Sequence, residues 1–230
     1  MTTPQSPHPL VFEHVPLGRH ASHPFSLEIP AHHTVAVLGD EDSGVGMLGS
    51  YALGLDRPAA GRALAFDIEV AALPEPERLA FRRRVGYLPA GDGLLQNLSL
   101  RDNVALPLRF GSGASPSEIE GRVTVMLTAV RLAAVGGVRP AQANDEERRR
   151  AALARATAFD PALLVLEQPF DGLTVRVASE LLELARGGES AEGARRTVFI
   201  TGQEIPPLLL RRVEQVYRLT RAGLLEPETV

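Results

Sequence analysis

Val35-Ala-Val-Leu-Gly39, followed by Asp40-Glu-Asp-Ser-Gly-Val-Gly-Met47 and an apolar run to Leu55, is the stretch on which the reading of this chain turns. A continuous apolar segment suits a parallel strand buried on both faces. The glycines and acids after it make a loop, and the run from Gly44 to Leu55 has helical spacing. Strand, glycine loop, helix is the layout of a phosphate-binding loop. In such a loop, successive backbone N–H groups and a helix N-terminus converge on an anion. A lysine at the helix start normally reaches the outer phosphates, and a hydroxyl after it holds Mg²⁺. Here Gly39 and Gly44 remain, but the lysine position is Val45, the hydroxyl positions are Gly46 and Met47, and Asp40, Glu41, Asp42 and Ser43 fill the loop. A lost charge-assisted contact costs about 1.5–3 kcal/mol. A carboxylate about 5 Å from a phosphate adds roughly 3 kcal/mol of repulsion at an effective dielectric near 20. Together they weaken binding on the order of a thousandfold or more. A second reading treats Asp40–Ser43 as an acidic turn that caps a helix.

Strand-like and helix-like segments alternate outward from this point, which argues an α/β class. Strands are expected at 25–29, 34–38, 62–66, 86–88, 163–166, 197–201 and 215–219. Helices are expected at 44–55, 75–84, 117–133, 145–159, 178–186 and 205–212. Helix signals dominate from Leu98 to Ala143, so a helical insertion in an α/β core is expected. Met1–Pro9 reads as a short disordered tail. The 230 residues allow a sizeable core, and 44% apolar with 23% charged residues is ordinary for a globular chain. A net charge of −4 gives no pull toward nucleic acid or anionic lipid. With no cysteine, disulfides and thiolate metal sites are excluded, which fits a cytosolic protein weakly. No apolar run is long enough to span a bilayer.

Further stretches resemble the motifs of ABC transporter ATPases, in order and spacing, over nearly the whole chain after the tail. Gly54-Leu55 follows the loop at the family's distance. Arg82-Arg-Arg-Val-Gly-Tyr-Leu-Pro-Ala90 resembles the stretch that ends in the Q-loop glutamine, with Ala90 in its place. The signature position, normally Leu-Ser-Gly-Gly-Gln, reads Ala143-Asn144-Asp145-Glu146-Glu147, and Arg150-Ala-Ala-Leu-Ala-Arg-Ala156 matches the helix behind it. Leu163-Leu-Val-Leu-Glu167-Gln168-Pro-Phe170 resembles the Walker B strand, Asp171-Gly-Leu-Thr174 matches the D-loop in part, and Gly202 stands at the switch histidine. Framework residues match while chemical ones do not, a contrast that random drift does not produce.

The resemblance implies an ABC-type, P-loop NTPase-like domain spanning 10–230. A RecA-like core with an antiparallel β subdomain occupies 10–92 and 158–230, and a helical lobe occupies 93–157. It also implies what is lost. Gln168 stands where a glutamate polarises water, and an amide is no useful proton acceptor. Glu167 keeps a carboxylate one methylene longer than the usual aspartate. Ala90 and Gly202 cannot do the work of glutamine and imidazole. Asn144, Asp145, Glu146 and Glu147 would set carboxylates against a partner chain's γ-phosphate. No ATP, Mg²⁺ or other metal cofactor is therefore expected. The adenine-stacking aromatic falls by spacing near Arg19 or His20.

By the same resemblance the chain is a peripheral subunit on the cytoplasmic face of a membrane, a dimer with itself or with an intact ATPase, docked to a transmembrane permease near Ala90–Asn103. Asp92, Leu94, Leu95 and Asn97 are the candidate docking residues. Asn97–Leu108 also resembles importer-type and lipid-trafficking ABC ATPases that work with MCE-domain proteins. Two other readings remain open: a working ATPase that holds Mg·ATP differently through Glu167 and the acidic loop, and a soluble scaffold that left transport. Arg148-Arg-Arg150 reads as a solvated helix start with local ion pairs. The acidic trio could alternatively hold a cation or a basic partner segment. His20, His23, His32 and His33 lack acids or cysteines at ligand spacing and read as exposed strand-end residues. Leu208–Leu210 reads as part of a core helix.

Overall fold

The structure, a computed structural model, describes residues 6–19, 21–187 and 195–228. Its strands are β1 (Leu10–Val15), β2 (Phe25–Ile29), β3 (Thr34–Leu38), β4 (Arg62–Ala65), β5 (Val85–Leu88), β6 (Leu163–Glu167), β7 (Thr197–Gly202), β8 (Gln215–Leu219) and β9 (Leu225–Pro227). The helices are α1 (Met47–Ala52), α2 (Glu75–Phe81), α3 (Leu100–Gly111), α4 (Pro116–Ala129), α5 (Asp145–Ala156), α6 (Val175–Arg186) and α7 (Pro207–Leu210).

A six-stranded sheet runs β5-β6-β7-β3-β8-β9, with only β9 antiparallel to its neighbour. β3 and β6 are buried along their whole length, as two-faced central strands should be. A second sheet, β2-β1-β4, is antiparallel and alternates buried and exposed residues along β2. α5, α6 and α7 cover one face of the large sheet and merge with α3 and α4 into one apolar cluster. The other face packs on α1 and the small sheet around Phe12, Phe25 and Phe199.

Local chemistry explains most boundaries. Ser99, Ser115 and Asn144 cap α3, α4 and α5, the last two through reciprocal capping boxes. Several expectations change. β1 and β9 were not expected as strands, and β1 supplies the middle of the small sheet. β4 ends before Phe66 because that residue takes a left-handed φ of 50°. The helix expected over 44–55 shrinks to six residues: Glu41–Ser43 forms its own 3₁₀ turn, which Gly44 closes at φ 80°. The helix expected over 205–212 shortens to α7, in which Leu209 is buried while Leu208 faces solvent. Ser6 is buried, Pro7 accepts from Ala31 N–H and Pro9 from Phe66 N–H, so the expected tail is packed from Ser6 to Pro9. Met1–Gln5 lie outside the described residues.

Candidate functional site

Parallel strands deliver their next residues to one edge of the sheet, the usual place for a ligand in this architecture. β3 leads into Gly39, β5 toward Ala90, β6 ends on Glu167 and β7 on Gly202. Register joins these ends: Leu38 pairs with Gly202 and Glu167 with Thr201. Gly39 N–H donates to Gly202 O at 2.9 Å and Gln168 N–H to Thr201 O at 2.7 Å. The result is a cleft of about 200 Å³ lined by Asp40, Glu41, Val45, Ala90, Glu167 and Gln168, among others. Gly39, Gly46 and Gly202 also face it. Positions scattered from 39 to 202 are thus brought together.

Within the loop the amides of Ser43, Val45 and Met47 are turned inward. Asp40 caps the 3₁₀ turn: its Oδ1 accepts from Ser43 N–H at 3.0 Å. Ser43 Oγ donates to Asp40 O at 2.6 Å and accepts from Val45 N–H at 3.3 Å. Met47 N–H donates to Gly44 O. Val45 is 6% exposed and packs in an apolar cluster with Leu48 and Tyr51. The turn is clamped from behind, because a Cβ on Gly44 would run into the backbone nitrogen of Gly18. Both glycines take left-handed φ, so two backbones meet where no side chain fits. Sequence reading missed Gly18, which has no local signal beyond an isolated glycine. Gly46 and Gly202 differ: neither has a positive φ, and a Cβ would meet open space at Gly46 and ordinary contacts near 3.7 Å at Gly202. The fold has room for side chains at both positions.

Among the described residues lining the cleft, three are carboxylates and none is cationic. The repulsion argued from sequence is nevertheless smaller than the loop suggests. Arg221, in the turn between β8 and β9, bonds Asp40 at 2.7 Å and reaches Asp42 at 3.4 Å. Its hydrogen bond holds the Asp40 carboxyl below the usual carboxylate range. Two of the three acids, Asp40 and Asp42, thus share a basic group of their own chain. The acidic-turn reading of Asp40–Ser43 describes the local structure.

Glu167 is almost fully buried. Its Oε2 accepts from Ala90 N–H at 3.2 Å, and its Oε1 has no hydrogen-bond partner. That oxygen lies where a Cβ on Gly49 would stand, so the extra methylene of Glu167 is accommodated by a glycine in α1. Burial, and then the neighbouring charge of Glu167, push the Tyr87 phenol above its ordinary value. Gln168 has a φ of 45°, an unusual backbone for a side-chain-bearing residue.

Asn144, Asp145, Glu146 and Glu147 do not line this cleft. They form the first turn of α5, where Asn144 Oδ1 accepts from Glu147 N–H at 2.8 Å and Glu147 Oε2 from Asn144 N–H at 3.0 Å. Acids at a helix N-terminus are favoured by its dipole. The arginines behind them are only partly as expected. Arg148 pairs with Asp145 and with Asp92 at 3.2 Å, but Arg149 and Arg150 are buried rather than solvated. Arg150 bridges Glu146 at 2.9 Å and Glu180 at 2.6 Å, joining α5 to α6.

Of the docking candidates, Leu94 is buried in the main core and is not available to a partner, because it packs under the segment that leads into α3. Asp92 is tied to Arg148 and accepts from Leu94 N–H, while Leu95 and Asn97 are exposed. Asn103, missed from sequence, is fully buried and holds this segment: it accepts from Leu95 N–H at 2.7 Å and donates to Leu95 O and Ser99 O. Arg19 is exposed, and His20 lies outside the described residues. No described helix is long and apolar enough to cross a membrane.

This strand order, with an edge cleft and a helical lobe, defines a nucleotide-binding cassette, and the chain belongs to the ABC transporter family, whose pattern matches residues 22–171. The methionine import ATP-binding protein MetN of Rhodopseudomonas palustris is 33% identical over 161 residues, 70% of this chain and 43% of that protein. The sulfate/thiosulfate import ATP-binding protein CysA of Mesorhizobium japonicum is 32% identical over 208 residues, covering 85% and 58%. The lipoprotein-releasing system ATP-binding protein LolD of Chromohalobacter salexigens is 32% identical over 201 residues, covering 87% and 83%. The chain thus spans about half the length of the two import proteins. In fold it is similar to the dimeric bacterial ABC transporter cassette MJ0796, with a TM-score of 0.83, 22% identity and coverage of 96% and 98%.

Proposed function

We propose that this chain is a non-hydrolysing ATP-binding-cassette subunit with a structural or regulatory role in an ABC transport complex. The observation that carries the reading is the inward-turned loop. Ser43 and Val45 spend their N–H groups on Asp40 and Ser43, Val45 is packed into the core, and the cleft offers carboxylates where a triphosphate needs cations. This donor set does not fit Mg·ATP. The cleft is also smaller than the roughly 300–1,000 Å³ of ordinary ligand pockets. The room left at Gly46 and Gly202 supports a chemical loss, since packing does not demand glycine there.

On this reading the chain sits peripherally on a membrane against a transmembrane permease, with Leu95 and Asn97 among the contacts. It pairs with itself or with an intact ATPase, for which the acids of the α5 first turn would make a poor clamp. The resemblance of Asn97–Leu108 to MCE-associated ATPases favours a lipid cargo. A second reading, an active ATPase with atypical motifs, is favoured by the carboxylate that Glu167 keeps at the end of β6.

Calorimetry with Mg·ATP on the purified chain tests the choice. No heat is expected up to about millimolar nucleotide, corresponding to binding weaker than about −4 kcal/mol. Micromolar affinity, or hydrolysis above background, sinks the proposal and favours the second reading.

A further inference from the structure

A groove of about 1000 Å³ lies away from the cleft, between α4 and α5 on one side and α6 and α7 on the other. It follows the whole of α6: Val175, Ser179, Glu183 and Gly187, spaced four apart, all face it. Twelve residues of α6 make it about 18 Å long. Its floor is apolar, from Met126, Leu153, Ala154 and Leu184. Val175 and Leu208 are exposed along it.

The charges around that floor are unbalanced. Five arginines line the groove against two glutamates, Glu180 and Glu183, and although Arg150 also pairs with Glu146 at 2.9 Å and Arg196 with Asp160 at 2.5 Å, both just outside the lining, guanidinium stays in excess in a chain whose net charge is −4. Glu180 alone receives Arg150 at 2.6 Å, Arg176 at 2.8 Å and Arg131 at 3.2 Å. Led by the Arg150 hydrogen bond, these arginines hold its carboxyl below the ordinary range. Glu183 is shared between Arg212 at 3.5 Å and Arg186 at 3.8 Å. Arg131 and Arg176 are each 69% exposed, and a guanidinium has five donors, so both can take further acceptors.

A recessed apolar floor of helical length, rimmed by the exposed guanidinium groups of Arg131 and Arg176 that share one carboxylate, matches a helix laid lengthwise with its apolar stripe down and carboxylates along its flanks. A flat lipid headgroup layer would not reach that floor, and a nucleic acid backbone would leave it wet. The geometry points to a docking groove for an acidic amphipathic helix of a partner protein. It is distinct from the Ala90–Asn103 segment and independent of whether the chain binds nucleotide.

The test uses the full chain and two labelled synthetic peptides of about 18 residues, long enough to fill the groove as a helix. Both carry a leucine stripe, flanked by glutamates in one and by lysines in the other. Fluorescence anisotropy should show binding of the acidic peptide only, weakened severalfold by about 0.5 M salt. The double variant Arg131→Glu/Arg176→Glu, checked for an unchanged melting temperature, should lose at least about tenfold in affinity. Arg57→Glu, a reversal remote from the groove, should retain it. Equal binding of both peptides, no binding at about millimolar concentration, or full affinity in the double variant overturns the inference. So does binding of phosphatidylglycerol vesicles in place of the peptide, or self-association that the same double variant abolishes.

Discussion

Gly49→Ala isolates the contact that lets a glutamate stand at the end of β6. Alanine in a helix interior normally stabilises by about 1 kcal/mol relative to glycine. Here its Cβ would occupy the place of Glu167 Oε1. Glu167 is buried, so to make room its carboxylate must swing and release Ala90 N–H. A hydrogen bond to a charged group contributes about 1.5–3 kcal/mol. The net expectation is destabilisation by about 0.5–2 kcal/mol, a fall in melting temperature of about 1–8 °C for a chain of this size. Shortening the acid removes the conflict. In a Glu167→Asp background the same Gly49→Ala change should stabilise by about 1 kcal/mol. Urea unfolding of the four proteins of this cycle measures a coupling of about 1.5–3 kcal/mol between residues 49 and 167. If Gly49→Ala stabilises equally with Glu167 and with Asp at that position, the account of the Walker B position is wrong.

Gly44→Ala should cost about 2–5 kcal/mol, combining a left-handed backbone with collision against Gly18; chemical denaturation within about 0.5 kcal/mol of the parent would refute the clamp. Val45→Lys should melt below the parent and gain no calorimetric affinity for Mg·ATP, because residue 45 is packed in the core and its own amide is already engaged by Ser43; micromolar binding by this single variant refutes that. Glu214 supplies a pH test. Burial raises its pKa, but the Thr34 amide and the Arg186 guanidinium outweigh this and the net shift is downward. Its contribution is therefore present above the unfolded-state carboxylate pKa and is lost as pH falls through the lower folded value. Glu214→Gln should flatten the acid limb of stability between about pH 5 and 3, and an unchanged urea-midpoint profile counts against the pair.

Much of this molecule was legible residue by residue. The apolar runs at 35–38 and 163–166 announced two-faced strands, and the helix expected from 145 begins at Asp145. β1 was harder. Its Leu10–Val15 has His14 in a left-handed conformation and a register break against β2, so the alternation a strand should show is interrupted. α3 was blurred by Pro107 inside it, which locally removes an N–H donor and weakens the helical signal. Arg149 and Arg150 looked solvated because a run of charges carries no record of what packs on it: Glu180 of α6 for Arg150, and the segments carrying Asp92 and Asp171 for Arg149.

The sequence by itself determined the identity of the chemical groups at the loop and strand ends: the side chains of Val45, Gly46, Ala90, Gln168 and Gly202 carry no cation, hydroxyl or carboxylate in any conformation. Only the tertiary structure decided how the remaining charges are used. Arg221 reaches Asp40 across 181 positions, Gly18 backs Gly44, and Gly49 makes room for Glu167. Such pairings depend on through-space distances of a few ångströms, set by sheet order and loop closure, and neither partner carries a local pattern that names the other.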